Sequence, residues 1–446
     1  MNFQESQEYL LGLGFELSVR KFGLENSLIL LEALGHPEVK FLKVQVAGTN
    51  GKGSVCAFLE SICVAAGVRV GLNTSPHLVS ITERVRIEGN EITEEEFARL
   101  ATVVRETGER LVREKKLKAL PTYFEHVTAI ALLAFAEAGV ELAILETGLG
   151  GRFDATTAAR SEIAVITPID LDHTNILGST VGEIAAEKAA IIREDSSIVV
   201  SSQPSEAAAV IDARCSGFGI EPRRADLIGT REWNGGVMFI LDKAVYGNVM
   251  LGLAGRHQVD NARTAIAAAE LLVEKGFAID ERSVIKGLET ASHKGRLERF
   301  EEMLFDGAHN VSGAKALAAY LDEFVEGPVT MMFAAMKDKD LSEISRILFS
   351  RSENLIFVAP SNPRSMPASE LAGFVPDGFP RQNVHIASEI EEAVETARRV
   401  AGDGTVLVTG SLYLIGEVQA HVRNRTRDFN RRERRERGEK KRTVEN

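Results

Sequence analysis

Two α/β units in tandem, each a parallel sheet wrapped by helices, are what the sequence predicts, and three observations carry the prediction. Short apolar runs alternate with helical patterns from Phe41 to the 290s, and a second series of the same kind begins after Arg296. A length of 446 residues suits two or three domains with cores of ordinary size. A composition of 44% hydrophobic and 26% charged residues, with Gly 38 and Pro 12, is that of a globular enzyme and sets aside fibrous, disordered and membrane-spanning chains.

Taken in order, the first unit covers residues 1–295, with strands expected over 41–47, 142–146 and 163–168. A glycine-rich turn after the first strand leads into an apolar-periodic helix over 55–66, where Cys56 and Cys63 sit like core positions. With Cys215 they are too few for a disulfide framework and read as reduced. Residues 181–193 read as a helix. Between Leu227 and Leu253 the period shortens around Asn234-Gly235-Gly236, predicting a small antiparallel insert before a helix over 261–275. The polar segment His293-Lys294-Gly295-Arg296 is the expected hinge. Beyond it, residues 296–422 form a doubly wound unit with strands near 303–306, 329–334, 355–360, 384–387 and 406–409.

Charge adds a third segment. The net −12 divides into +6 over residues 423–446 and −18 over the rest, an acidic body that argues against a nucleic-acid enzyme. The basic tail has almost no apolar face, so a solvated extension is the plain reading and a nucleic-acid or anionic-surface contact the other. The longest apolar run, residues 129–136, is far short of the ~18 residues of a membrane span. The start MNFQESQEYL lacks a secretory pattern, so a cytoplasmic protein is expected.

The strand KVQVAG runs into Gly48-Thr49-Asn50-Gly51-Lys52-Gly53-Ser54 and then a helix. Such a loop points backbone N–H groups and a helix N-terminus at phosphate oxygens, with Lys52 as a point charge and Ser54 as a candidate Mg2+ ligand. The strict P-loop pattern is not met, since Val46 replaces its first glycine and Gly53 separates the lysine from the serine. Glu146 closes the strand ELAILE before the glycine-rich run TGLGGRFD, and His173 follows the strand IAVITPID. In a parallel sheet both would sit beside the P-loop, where a carboxylate, an imidazole and phosphate oxygens make a Mg2+ shell. Lys188 is the odd residue: with Ile184, Ile191 and Ile192 it falls on one otherwise apolar helix face. A cation there must snorkel, pair or change chemically.

The runs AGTNGKGS, NTSPHL, ITERVRI, TYFE, LETGLGGRFDAT, ITPIDLDHTNILGSTVGEIAAEKAAIIR, GRHQVDNA, DGAHN and SLYLIGEV, spread in order over residues 40–418, closely resemble the folylpolyglutamate synthase/dihydrofolate synthase family of the Mur ligase superfamily. The resemblance implies an N-terminal P-loop ATPase domain, a C-terminal Rossmann-like domain, and ATP-dependent amide formation between L-glutamate and a pteroyl or folyl carboxylate. It implies ATP on residues 48–54 (Gly48, Thr49, Asn50, Gly51, Lys52, Gly53 and Ser54), with Asn261, Arg296 and Asp306 at the nucleotide. Mg2+ is implied at Ser54, Ser75, Glu146 and His173, with a second Mg2+ on a carbamylated Lys188, and a K+ requirement would be unsurprising. Phe124 matches an aromatic that packs against the pterin, Asp154 is a further substrate-binding position, and His309 and Ser411 match the glutamate side. Lys52, Glu146, His173 and Lys188 are the candidate catalytic residues. The chain departs from the family pattern at Thr157, where DATN is usual, and at Ala190 in place of glycine. A monomer with small-molecule substrates, and neither nucleic acid nor membrane as partner, is expected. A Mur-type ligase of a cell-wall precursor and a non-ligase P-loop switch are the competing readings.

Overall fold

The apolar run before the glycine-rich turn forms β1 (Leu42–Ala47), which lies in the middle of an eight-stranded sheet. A computed structural model describes residues 1–14, 23–233, 235–242 and 244–423, and the chain divides into two units after His293. In the first unit β1 is flanked by β5 (Leu142–Glu146) and β6 (Ile163–Ile166), both parallel to it. Outward on one side come β2 (Val70–Asn73), β3 (Val85–Ile87) and β4 (Asn90–Glu91), and on the other β7 (Ser197–Val200) and β8 (Arg223–Arg224). Only β3 and β4 run antiparallel to their neighbours.

Buried on both faces, β6 and β5 up to Glu146 read as continuous apolar runs, while β1 interleaves Lys43 and Gln45 with its apolar residues. Val44 and Val46 pack under the helices Lys52–Ala65, His257–Glu274 and Glu281–Thr290, with Cys56 and Cys63 in the same core. The opposite face is covered by Glu94–Arg113 and Tyr123–Ala138 at one end and by Val181–Lys188 and Ser205–Gly217 at the other. The expected insert is a three-stranded antiparallel sheet, β9 (Gly229–Trp233), β10 (Gly236–Ile240) and β11 (Val245–Val249).

The helix expected over 261–275 begins four residues early, at His257, and two other helix boundaries differ from expectation for local reasons. The P-loop helix begins at Lys52, three residues early, because Gly51 takes the left-handed conformation (φ 85°) and turns the chain straight into it. The helix expected over 181–193 stops at Lys188 and continues as a 3-10 turn, Ala189–Ile191.

The second unit holds β12 (Glu298–Phe300), β13 (Met303–Asp306), β14 (Val329–Phe333), β15 (Asn354–Phe357), β16 (Val384–Ile386) and β17 (Thr405–Thr409). Their order is β12-β13-β17-β14-β15-β16, parallel except for β12. Apart from Arg423, the basic tail lies outside the described residues. Among the described residues no helix is long and apolar enough to cross a membrane.

Candidate active site

Four neighbouring parallel strands, β2, β5, β1 and β6, end at the same edge of the first sheet, and the loops that follow them carry the residues singled out in the sequence. After β1, Gly48 lies so close to Thr167 that a side chain there would collide with it, and a side chain at Gly51 would meet the Asn261 amide. Backbone N–H groups of Thr49 and Asn50 donate to the Pro168 carbonyl at 2.9 and 3.2 Å, and the Thr49 hydroxyl bridges to Asp170. The Lys52 ammonium folds back on the carbonyls of Gly48 and Thr49, both at 3.1 Å.

Lys188 does not snorkel. It is 5% exposed, and its ammonium donates to the Gly48 carbonyl at 2.7 Å, 140 residues away in sequence. Burial, reinforced by the neighbouring Lys52 charge, pulls its pKa down to about 7, with Asp172 and Asp154 pulling the other way.

After β5, Glu146 is buried and one of its carboxylate oxygens accepts the Ser75 N–H at 2.9 Å, which joins the Ser-Pro-His-Leu turn to this strand end. In that turn Arg84 donates to His77 Nδ1 at 2.9 Å, and burial, then the Arg84 charge, push His77 down to about 3. The same guanidinium stacks on the Tyr123 ring at 5.3 Å.

Asp154 organises the glycine-rich loop. Its carboxylate accepts N–H groups of Gly148 and Leu149 at 2.9 Å and of Thr156 at 3.0 Å, together with the Thr156 hydroxyl. Burial pushes its pKa up while these donors pull it down. Thr157, at the position where the family pattern has Asn, donates to the Gly151 carbonyl at 2.7 Å and accepts from Gln45 at 2.8 Å. Gln45 is 1% exposed and also reaches Thr147 and Thr156, so one amide on β1 ties the loop to the sheet. Its polarity inside KVQVAG was the sequence signal for that role. Phe124 is buried, with its ring over Gly148.

His173, left-handed at φ 51°, starts the short helix Thr174–Leu177 in the loop after β6. Asn261 donates to Gln258, which is bonded to the His257 ring at 3.1 Å. The His293 ring packs where a Gly53 side chain would stand, a contact between positions 240 apart that no local pattern announces.

In the second unit, the Arg296 guanidinium lies against Gly307, and Asp306 accepts the N–H groups of Leu297 and Ala308, both at 3.0 Å. His309 Nδ1 donates to the Gly307 carbonyl at 2.7 Å. Ser411 accepts from the N–H groups of Tyr413 and Leu414, capping the helical residues 412–423.

Among the described residues no three His, Cys, Asp or Glu side chains cluster as a metal cage. The donor set Ser54, Ser75, Glu146 and His173 is instead two hydroxyls, one buried carboxylate and one imidazole, which suits a hard cation that shares its shell with phosphate oxygens.

Residues 46–269 match the family described as Mur ligase middle domain, and residues 289–422 the family described as dihydrofolate synthetase, C-terminal domain. The chain is 34% identical to the Bacillus subtilis dihydrofolate synthase/folylpolyglutamate synthase, over 90% of this chain and 96% of that one. It matches the structure of Escherichia coli FolC in complex with DHPP and ADP with a TM-score of 0.84 at 30% identity, covering 96% and 99% of the two chains. A bifunctional folylpolyglutamate synthase/dihydrofolate synthase with Mn, AMPPNP and L-glutamate bound gives a TM-score of 0.81 at 29% identity, covering 95% and 98%.

Proposed function

The chain belongs to the folylpolyglutamate synthase/dihydrofolate synthase family of Mur-type ligases, ATP-dependent enzymes of folate metabolism, and we propose that it joins L-glutamate to a pteroyl or folyl carboxylate through an acyl phosphate. The observation that carries this reading is the gathering of a glycine-rich phosphate loop, Lys52, Lys188 and the Glu146–Ser75 pair at one edge of the sheet.

A carboxylate oxygen of the pteroyl substrate attacks the γ-phosphorus of ATP, and ADP leaves. The glutamate amine then attacks the acyl carbon; inorganic phosphate departs with the broken C–O bond, the amine loses a proton, and an amide remains. No nucleophile on the enzyme is needed, so the chain's part is positioning and charge neutralisation. The loop of residues 48–54 and the Lys52 ammonium receive the phosphates, and Asn261, Arg296 and Asp306 act at the nucleotide. Ser54, Ser75, Glu146 and His173 would hold Mg2+. When bound, that ion neutralises phosphate charge and polarises the transferring phosphoryl group.

The neutral amine of Lys188 attacks CO2 and sheds a proton, giving a carbamate that would hold a second Mg2+. The N–H that remains can still donate to Gly48. A pKa near 7 supports this, because an ordinary lysine, with a pKa of about 10.4, is almost wholly protonated at neutral pH. Phe124 and Asp154 serve the pteroyl side, Asp154 through the loop it holds, and His309 and Ser411 the glutamate side. The reading extends to a monomeric cytoplasmic enzyme with a K+ requirement.

ADP release measured with dihydropteroate and tetrahydrofolate in parallel, each with and without L-glutamate, tests the reading and separates addition of the first glutamate from addition of later ones. ATP turnover indifferent to both substrates refutes it.

A further inference from the structure

The start of the helix Tyr123–Ala138 carries Phe124 into the site, and two pins from the first two helices hold that start from behind. His126, fully buried, bonds through Nδ1 to the Thr122 carbonyl at 3.0 Å. A carbonyl only accepts, so Nδ1 carries the proton, and in the neutral ring Nε2 is left to accept the Tyr9 hydroxyl at 3.2 Å. Tyr9 lies on the helix Phe3–Gly12, edge-on to the imidazole, with the Arg105 guanidinium over its ring at 5.0 Å.

The second pin is Ser27, on the helix Glu25–Ala33. Its hydroxyl donates to Glu125 Oε1 at 3.0 Å, while Glu125 Oε2 accepts the Thr122 N–H and hydroxyl at 2.7 and 2.9 Å. One carboxylate therefore caps its own helix and ties it to a segment 98 residues earlier.

We infer that Tyr9 and Ser27 are positioning residues for the pteroyl subsite, acting through His126 and Glu125 on the turn 122–125. The inference rests on the proposed pteroyl-binding role of Phe124. A turn freed from its pins must be re-ordered when the pteroyl ring binds, and that cost falls on the affinity for this substrate alone. The phosphate loop follows a different strand and is spared.

The test uses the full chain with Tyr9→Phe, Ser27→Ala and Ser27→Thr. Tyr9→Phe and Ser27→Ala should each raise the pteroyl KM about fivefold, the effect of one net hydrogen bond, while kcat and the KM for ATP stay within about twofold. Ser27→Thr, which restores the hydroxyl, should return the pteroyl KM toward wild type. Hydrogen exchange gives a readout independent of turnover: amides 123–127 should exchange faster in Tyr9→Phe and Ser27→Ala, and amides 48–54 should not. An unchanged pteroyl KM, KM values for ATP and pteroyl substrate that rise together, a threonine no better than alanine, or unchanged exchange at 123–127 overturns the inference. Absence of pteroyl-dependent turnover in the wild type overturns instead the function it rests on, and the exchange data then decide the pinning by themselves.

Discussion

Gly151→Ala tests whether the glycine-rich loop and the Lys188 helix act as one rigid piece. A β-carbon at Gly151 would stand 2.7 Å from the Glu187 carbonyl oxygen, 2.8 Å from that of Lys188 and 3.0 Å from Ile191 Cγ2. Two of these atoms are backbone at the end of a helix packed on the sheet by Ile184 and Ala185, so no side-chain rotation relieves the clash. Ordinary contact begins at 3.4 Å, so loop and helix must separate by about 0.6–0.7 Å. That strains the Arg152 N–H bond to Glu187 (3.0 Å) and the Thr157 bond to Gly151 (2.7 Å). Overpacking of this kind costs about 1–3 kcal/mol of stability. Misplacement by ~1 Å costs catalysis up to about 100-fold, so a drop in kcat on the order of 10- to 30-fold is expected. Calorimetry and steady-state ADP release measure the two effects. Gly217→Ala is the control: among the described residues no atom beyond its own helix turn lies within 4 Å of its β-carbon, and at a helix end it should gain about 0.5–1 kcal/mol. Wild-type Tm together with kcat within twofold for Gly151→Ala would show that the loop does not press on the helix, and the argument would fail.

Lys188→Ala and Lys188→Arg should both lose most turnover while folding normally, since neither can form a carbamate; acetate should partly restore the alanine variant, and carbonyl-labelled NMR under CO2 should detect the adduct in the wild type. Glu60 is 2% exposed and paired with Arg86, which is only half-buried and also faces the Glu91 charge, so Glu60→Ala should cost about 1–3 kcal/mol in denaturant unfolding, by removing one hydrogen-bond partner of that guanidinium. Burial raises Tyr9 and Tyr246 from 10.0 to about 12. A raised folded pKa means that their stabilisation is intact below pH 10 and is lost as pH rises toward 12, because the unfolded phenols ionise first. Unfolding midpoints should fall across that window, and less steeply in a Tyr9→Phe/Tyr246→Phe variant.

The phosphate loop was legible in the sequence because its chemistry is local: a strand, a turn that needs glycine at positive φ, and a helix whose start follows within seven residues. The long central strands were legible for the same reason, as runs of four to six mostly apolar residues. The short strands β3, β4, β8 and β12, of two or three residues at or next to a sheet edge, carry too little pattern to be read.

Lys188 stood out as a cation on an apolar face, but the choice between snorkelling and burial was made by Gly48, which the crossing of β1 and a distant helix brings within 2.7 Å. Gln45 on the Thr147, Thr156 and Thr157 hydroxyls, His293 on Gly53, and the pins from Tyr9 and Ser27 are likewise decided by tertiary structure. The physical reason is the range of the interaction. Backbone conformation and helix or strand periodicity are set by neighbours a few residues away, whereas the partner of a buried polar group is whichever donor or acceptor the packed sheet delivers to it, and leaving such a group unpaired costs more than any local preference can offset.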